Sequence, residues 1–488
     1  MLLHLNQVDE DSSHAARFAI LFYIMVSLTL CGGTVFGFAG LKTVLLDESV
    51  YAELCSDFNG DGATYTPCNA QMLRLDLMFT LASSLFSAYL LPAGLLLRSM
   101  GPRACFLLGF ALVIIGSGLF VVANSRTFDV YIVAFVLIGT GNPLLYIAAF
   151  NFSKLYPSSS NLLLSIFIGC FGFSAIVFYL FDEVHFIYGL TSQQLFRAFV
   201  FLPASLALIG MFVLPKDVYH VMRQRKLSAA SNAVAESDVA DGASEKTPLL
   251  ESNEQNGVAW DGNSTATTAV AAGDTNKAKN TSFIGVPLKD ASLSRQLRSA
   301  PFFAQMAFFS WGMLHLNFYL GTIYDQLLLL DDTGGALADV MIDVFSLSYP
   351  FGCLASILPV GLLVRNCSVS TSLYTYCAVN LIFSSMALLP NLSAQWITIH
   401  MFILVRVAFF TVMSTYSANV FGFANLSTMF GAAGCVAGMV SLGSSGLNYV
   451  ALTVQDDFTL VNGFMLAGAV LNFTFPYTVK VFWENKQH

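Results

Sequence analysis

The chain has 488 residues, 56% apolar and only 11% charged, against about 25% charged in an ordinary soluble domain. Mean hydropathy is +0.68 and the pI is 5.3. These values leave little room for a soluble enzyme. They also argue against a nucleic-acid binder, which would carry a basic stripe, and against a disordered scaffold.

The first 16 residues hold Asp9, Glu10 and Asp11 and no short apolar run. No cleaved signal peptide is expected, and the first membrane helix serves as an uncleaved anchor. Twelve apolar segments follow, at about 17–41, 71–97, 104–124, 129–152, 161–181, 196–214, 302–329, 339–364, 371–390, 396–420, 427–449 and 459–482. A helix of about 20 residues crosses a bilayer core. Lipid leaves the backbone no other partner, and no barrel alternation is present. The expected class is an all-α membrane protein of twelve transmembrane helices.

Basic residues orient the chain. With both termini in the cytosol, 17 of the 22 Lys and Arg fall inside, ten of them in the central loop. Long loops count little, and without those ten the inside still leads seven to four. Lys42, Arg74, Arg126 and Arg197 are placed outside. Of nine cysteines, seven sit in or beside apolar segments and read as small hydrophobes. Cys55 and Cys68 share one polar loop. They are expected to form a disulfide where that loop faces an oxidising compartment.

Residues 216–300 are rich in Ser, Ala, Asn, Asp, Gly and Thr. They read as a disordered cytosolic linker between a six-helix bundle at 1–215 and another at 301–488. A repeat supports that division. The second helix ends Pro92-Ala-Gly94-Leu-Leu-Leu-Arg98, and the eighth ends Pro359-Val-Gly361-Leu-Leu-Val-Arg365. Such a match is what a duplicated six-helix unit leaves behind.

Two bundles, a long central loop and the turn from Gly94 to Gly101-Pro102-Arg103 together resemble the major facilitator superfamily. Phe38-Ala-Gly40-Leu at the end of helix 1 precedes the two-cysteine loop. Helix 7 opens Ala300-Pro301-Phe302-Phe303 and continues Gly312-Met313 to Phe318-Tyr319. Helix 10 carries Val405-Arg406, Phe409-Phe410, Tyr416 and Val420-Phe421-Gly422. In that order these motifs resemble the solute-carrier family of sodium-independent large neutral amino acid facilitators, which also contains an equilibrative purine nucleobase transporter. The resemblance implies a multi-pass carrier of a small neutral organic solute that works by alternating access, with large neutral amino acids first and a purine nucleobase as the alternative. It also makes Gly94, Arg98, Gly101, Arg103 and Arg365 gating residues. One departure stands out: Arg98, like Arg365, occupies the position where the superfamily turn usually has Asp. An Arg cannot supply that acid's charge lock, which gives weight to a third reading, a transporter-like sensor that binds solute without moving it.

Several residues are candidates for substrate contact. Arg406 falls near the middle of its helix, where a charge costs about 2.5–3.5 kcal/mol on insertion scales. It either lines the substrate path or bonds a neighbouring helix end. His315 and Tyr319 on helix 7 offer hydrogen bonds, against a purely structural role for the histidine. Gly33 and Gly37 permit either unwinding that frees backbone groups for a zwitterion or close helix packing. Phe36 between them is a stacking wall or lipid-facing bulk. Asn142, beside Pro143, is a cavity group or a cap. The glycines of helix 11 read as a packing face.

No carboxylate falls near the middle of any expected helix, which favours uniport driven by the substrate gradient. No cofactor, metal or nucleic-acid partner is expected. Nucleotide loops, Ser-His-Asp patterns, HExxH and paired Cys ligands do not occur, so an enzyme reading has little support. Asn391-Leu-Ser393 is a glycosylation sequon in an outer loop. Glu245-Lys-Thr-Pro-Leu249-Leu250 resembles a sorting signal read by adaptor proteins, although such short matches arise easily in a loop of this composition. The plasma membrane is the expected location, with an endosomal, lysosomal or vacuolar membrane as the alternative.

Overall fold

The computed structural model describes residues 14–56, 67–156, 160–215, 288–333, 335–422 and 425–482. No strand occurs among them. The first long helix, α1, spans Ala16–Asp47. Asn69–Val122 is one helical run of 54 residues that breaks at Gly101, where φ is 81° and ψ is 167°. A side chain at such a position would be strained, so glycine belongs there. The run is therefore two membrane helices, α2 (69–100) and α3 (102–122). After them come α4 (Tyr131–Phe152), α5 (Leu162–Tyr188) and α6 (Ser192–Val213). The second set is α7 (Ala300–Leu329), α8 (Ala336–Asn366), α9 (Val369–Ala387), α10 (Leu392–Phe421), α11 (Thr428–Gln455) and α12 (Thr459–Val481). Among the described residues nine of these helical runs, with α2 and α3 taken as one, are long and apolar enough to cross a membrane, which makes a multi-pass integral membrane protein.

Four boundaries differ from expectation, each for a local reason. α1 continues to Asp47, so Lys42 is a buried helix residue, 1% exposed, and not part of an outer loop. α5 runs on to Tyr188, taking in Asp182. α11 continues through a π-helical turn at Val450–Gln455. Residues 288–299 belong to the folded part and not to the linker. A 3-10 turn at Leu288–Asp290 and a helix at Leu293–Leu297 are held by buried Gln296, whose Nε2 donates to the carbonyls of Leu288 (2.6 Å) and Phe421 (3.0 Å). Residues 216–287, with Glu245, Leu249 and Leu250, lie outside the described residues.

Small residues set the helix packing, as expected where lipid removes the hydrophobic drive between helices. A Cβ on Gly37 would lie 2.6 Å from the Ala175 carbonyl oxygen, and one on Gly33 would lie 2.8 Å from that of Phe171, so α1 rests directly on α5. The seams between the two sets of six use the same device. Gly431 on α11 meets the Leu90 carbonyl of α2, and Gly172 on α5 meets Cys353 of α8, each at 2.8 Å from a Cβ built there.

Candidate functional site

The site begins with an interruption in α1. Helical bonding stops at Cys31, and a 3-10 turn occupies Thr34–Gly37 before the helix resumes at Phe38. Within a membrane the freed backbone groups need partners. The Asn142 amide on α4 donates to the Cys31 carbonyl at 2.7 Å. The Gly33 N–H donates to Ser174 Oγ on α5 at 2.8 Å. The break is thus built in, and Phe36 sits inside it, 1% exposed.

Facing it from the other half is Arg406, the fifteenth of 30 residues in α10 and 3% exposed. Its guanidinium carbon lies 4.0 Å from the centre of the Phe36 ring, 5.6 Å from Phe410 and 6.0 Å from Tyr349. Both terminal nitrogens, Nη1 and Nη2, are buried without a hydrogen-bond partner. The Tyr349 hydroxyl is likewise unpartnered, as are Thr34 Oγ1 and Asn142 Oδ1 in the first half. Behind Phe36 stands an aromatic wall, with Phe86 at 5.2 Å and Phe171 at 5.7 Å, and Tyr146 packed on Phe171 at 4.7 Å. Cation–π contact compensates a buried charge only in part. Planar donors left open at mid-helix suit a carboxylate, which an arginine fork grips through two bonds.

Not all the expected contact residues converge here. Arg406 and Phe36 meet, and Asn142 touches the α1 break through its amide. His315 and Tyr319 instead pack within the second half. The His315 ring is 5.1 Å from Phe383, and Tyr319 is 5.0 Å from Phe383 and 4.8 Å from Phe402. Gly33 and Gly37 turn their Cα atoms toward α5. Tyr349, Phe86, Phe171 and Tyr146 carry no signal in the sequence, and Phe410 stands out there only as part of the helix 10 motif, because an aromatic in a membrane helix reads the same whether it faces lipid or a cavity.

At the face opposite the two-cysteine loop, Gly101 makes the turn and Gly94 is buried on α2. Arg98 donates across the halves to Asn425 Oδ1 at 3.4 Å, and the Asn425 amide donates to Gln296 Oε1 at 3.0 Å. Arg103 donates to the Met211 carbonyl on α6. The two arginines thus diverge to separate acceptors. Arg365 is exposed. On the other face Cys55 and Cys68 are joined as a disulfide, with Cα atoms 5.7 Å apart. Asn391 is exposed and caps α10, its Oδ1 accepting from the Ser393 N–H.

Among solved structures the chain superposes on the E. coli fucose:proton symporter FucP with a TM-score of 0.53, at 14% identity over 95% of this chain and 98% of that one. A second structure of FucP, a major facilitator superfamily transporter in the outward conformation, gives 0.52 at 16% identity, covering 94% of this chain and 97% of that one. The chain has the major facilitator superfamily fold. No protein-family model matches it. In sequence it is similar to Protein FMP42 of Saccharomyces cerevisiae, 27% identical over 455 residues, which is 90% of this chain and 89% of that protein. A shorter stretch of 151 residues, 29% of this chain and 27% of the relative, is 29% identical to the mouse large neutral amino acids transporter small subunit 3. Arginine transporter 1 of Toxoplasma gondii is 25% identical over 166 residues, 33% of this chain and 31% of that protein. In this fold the facing pair of Phe36 and Arg406 lies between the two six-helix bundles.

Proposed function

We propose that the chain is a membrane carrier of α-amino acids, with large neutral ones preferred, that moves them by alternating access. The observation that carries this reading is the buried Arg406 guanidinium with its unpartnered nitrogens. A substrate carboxylate would supply the acceptors it lacks, and the Thr34 and Asn142 oxygens are acceptors for an ammonium. The surrounding rings of Phe36, Tyr349 and Phe410 favour an apolar or aromatic side chain, and a cation so near disfavours a second one on the substrate. The similarity to proteins named for large neutral amino acids and for arginine supports the amino acid class.

Movement down the substrate gradient alone is part of the proposal, since the charge at this site is a cation and not a titrating acid. The FucP likeness bears on fold and not on coupling. Gly94, Gly101, Arg98 and Arg103 would work the cytosolic gate, with the Arg98–Asn425 bond across the halves in place of an acid-based lock.

The test is uptake by purified protein in proteoliposomes, using radiolabelled leucine, phenylalanine, arginine and adenine with and without proton and sodium gradients. Saturable uptake of leucine or phenylalanine that stops at equilibrium whatever proton or sodium gradient is imposed supports the proposal. Adenine uptake alone assigns a nucleobase carrier. Accumulation of substrate above equilibrium, driven by a proton or sodium gradient, overturns uniport, and binding without flux of any solute assigns a sensor.

A further inference from the structure

Away from Arg406, toward the face that carries the disulfide loop, the structure buries a second charged cluster. Lys42 on α1 donates to Asp76 Oδ1 on α2 at 2.7 Å and to Asp325 Oδ1 on α7 at 2.6 Å. The three side chains are 1%, 4% and 0% exposed. Asn448 on α11 donates to Asp76 Oδ2 at 2.8 Å, while Asp325 Oδ2 is buried without a partner. The Tyr324 ring of α7 lies 5.4 Å from the ammonium, and its hydroxyl donates to Asp339 of α8 at 3.4 Å. On the next position of α1, Thr43 donates to Asp182 of α5 at 2.5 Å. One turn away, Ser444 Oγ of α11 lies 3.3 Å from Thr80 Oγ1 of α2.

Two features make this more than a structural ion pair. First, the cluster bridges the halves: Lys42 and Asp76 belong to the first set of six helices, Asp325 and Asn448 to the second. Parting the bundles on this face must pull it open. Second, one ammonium against two carboxylates leaves one negative charge uncompensated in a site closed to water. An unpaired buried charge is strongly disfavoured and is relieved by neutralisation.

We propose that Asp76 and Asp325 form a proton-binding site, taking one shared proton from the disulfide-bearing side, and that this proton holds that face closed. With it the cluster is neutral: one ion pair and one carboxylic acid, whose hydrogen can occupy the unused acceptor capacity at Asp325. When the halves separate, water solvates both carboxylates and the proton leaves to the same side it came from. The proton is therefore not carried across. Because the closed state binds the proton more tightly, acid on that side favours closure, by up to about tenfold in the closed-to-open ratio per pH unit. This inference goes beyond the proposed transport reading and does not depend on the substrate's identity.

The test reads closure without a substrate. Thr80→Cys and Ser444→Cys are introduced together into the full chain, in lipid nanodiscs, and the linked peptide is quantified by mass spectrometry after mild oxidation at about pH 5.5 and about pH 8. The same pair in an Asp325→Asn background corrects for the pH dependence of thiol oxidation itself. The expected result is that the cross-linked fraction, relative to the Asp325→Asn background, falls several-fold from the acid to the alkaline condition. Should Asp325→Asn fail to assemble, Asp76→Asn removes the same shared proton and serves as the reference. Identical pH dependence in all backgrounds would overturn the proposal. So would a shift in closure on exchanging choline for sodium at constant pH, which would assign a metal cation to the site.

Discussion

Arg406 and Phe36 come from opposite six-helix bundles, yet the guanidinium of one sits 4.0 Å above the ring of the other. The contact is the point at which the two halves share the middle of the membrane. The break in α1 takes part in it, because the 3-10 turn at Thr34–Gly37 holds Phe36.

Replacing Arg406 with alanine is expected to leave the protein folded and in the membrane, because its Nη1 and Nη2 make no hydrogen bond that the fold would lose. Transport should fall by about 10- to 100-fold, the equivalent of a charged hydrogen bond of about 1.5–3 kcal/mol. Arg406→Lys should recover only part of it, since an ammonium lacks the planar fork. Uptake assays normalised to surface protein provide the check.

Phe36→Ala should weaken substrate affinity with less effect on maximal rate, by about three- to tenfold, matching a cation–π contact of about 0.5–1 kcal/mol plus lost packing. Phe36→Tyr keeps a ring face and should remain close to wild type. A concentration series of uptake for the three proteins separates the two parameters.

Gly37→Val should abolish recovery of monodisperse protein, because a Cβ there meets the Ala175 backbone at 2.6 Å and backbone cannot yield as a side-chain tip can. Gly118→Ala is the control: its Cβ meets nothing within 4 Å. Size-exclusion profiles in detergent distinguish them.

Asp331 caps α8, accepting from the N–H groups of Leu337 (2.9 Å) and Ala338 (2.8 Å) and from Thr333. The Thr333 hydroxyl first, and then these backbone donors, pull its carboxyl from 3.8 down to about 2. A carboxyl lowered on folding stabilises above its ordinary value and loses that contribution as the pH falls through about 2. Asp331→Ala should therefore speed amide exchange at residues 336–339 near neutral pH, with the difference from wild type shrinking in strong acid. Hydrogen exchange of that segment reads it directly.

Much of this architecture is legible in the sequence, because a bilayer demands long apolar runs and tolerates little else. Each of the twelve helices overlaps its expected apolar segment, although α1, α5 and α11 run on past it, and Arg406 stands out as a lone charge at mid-helix. The Cys55–Cys68 bond follows from a shared polar loop. Lys42 shows where such reading stops. A lysine after an apolar run looks like a helix end, and its burial depends on Asp325, 283 positions away. His315 and Tyr319 share a helix with a plausible solute-facing stripe, but the rings they meet, Phe383 and Phe402, lie on α9 and α10 and are set by tertiary packing. Tyr349, another ring beside Arg406, is hidden for the same reason.

The central claim is that Arg406 reads a substrate carboxylate. Its most direct test is competition against labelled phenylalanine uptake in proteoliposomes by phenylalanine and by phenylalaninamide, which keeps the ring and the amine and lacks the acid. The account predicts that phenylalanine competes and the amide does not, and that residual uptake by Arg406→Ala protein no longer distinguishes them. Equal competition by the amide in the wild-type protein would contradict it.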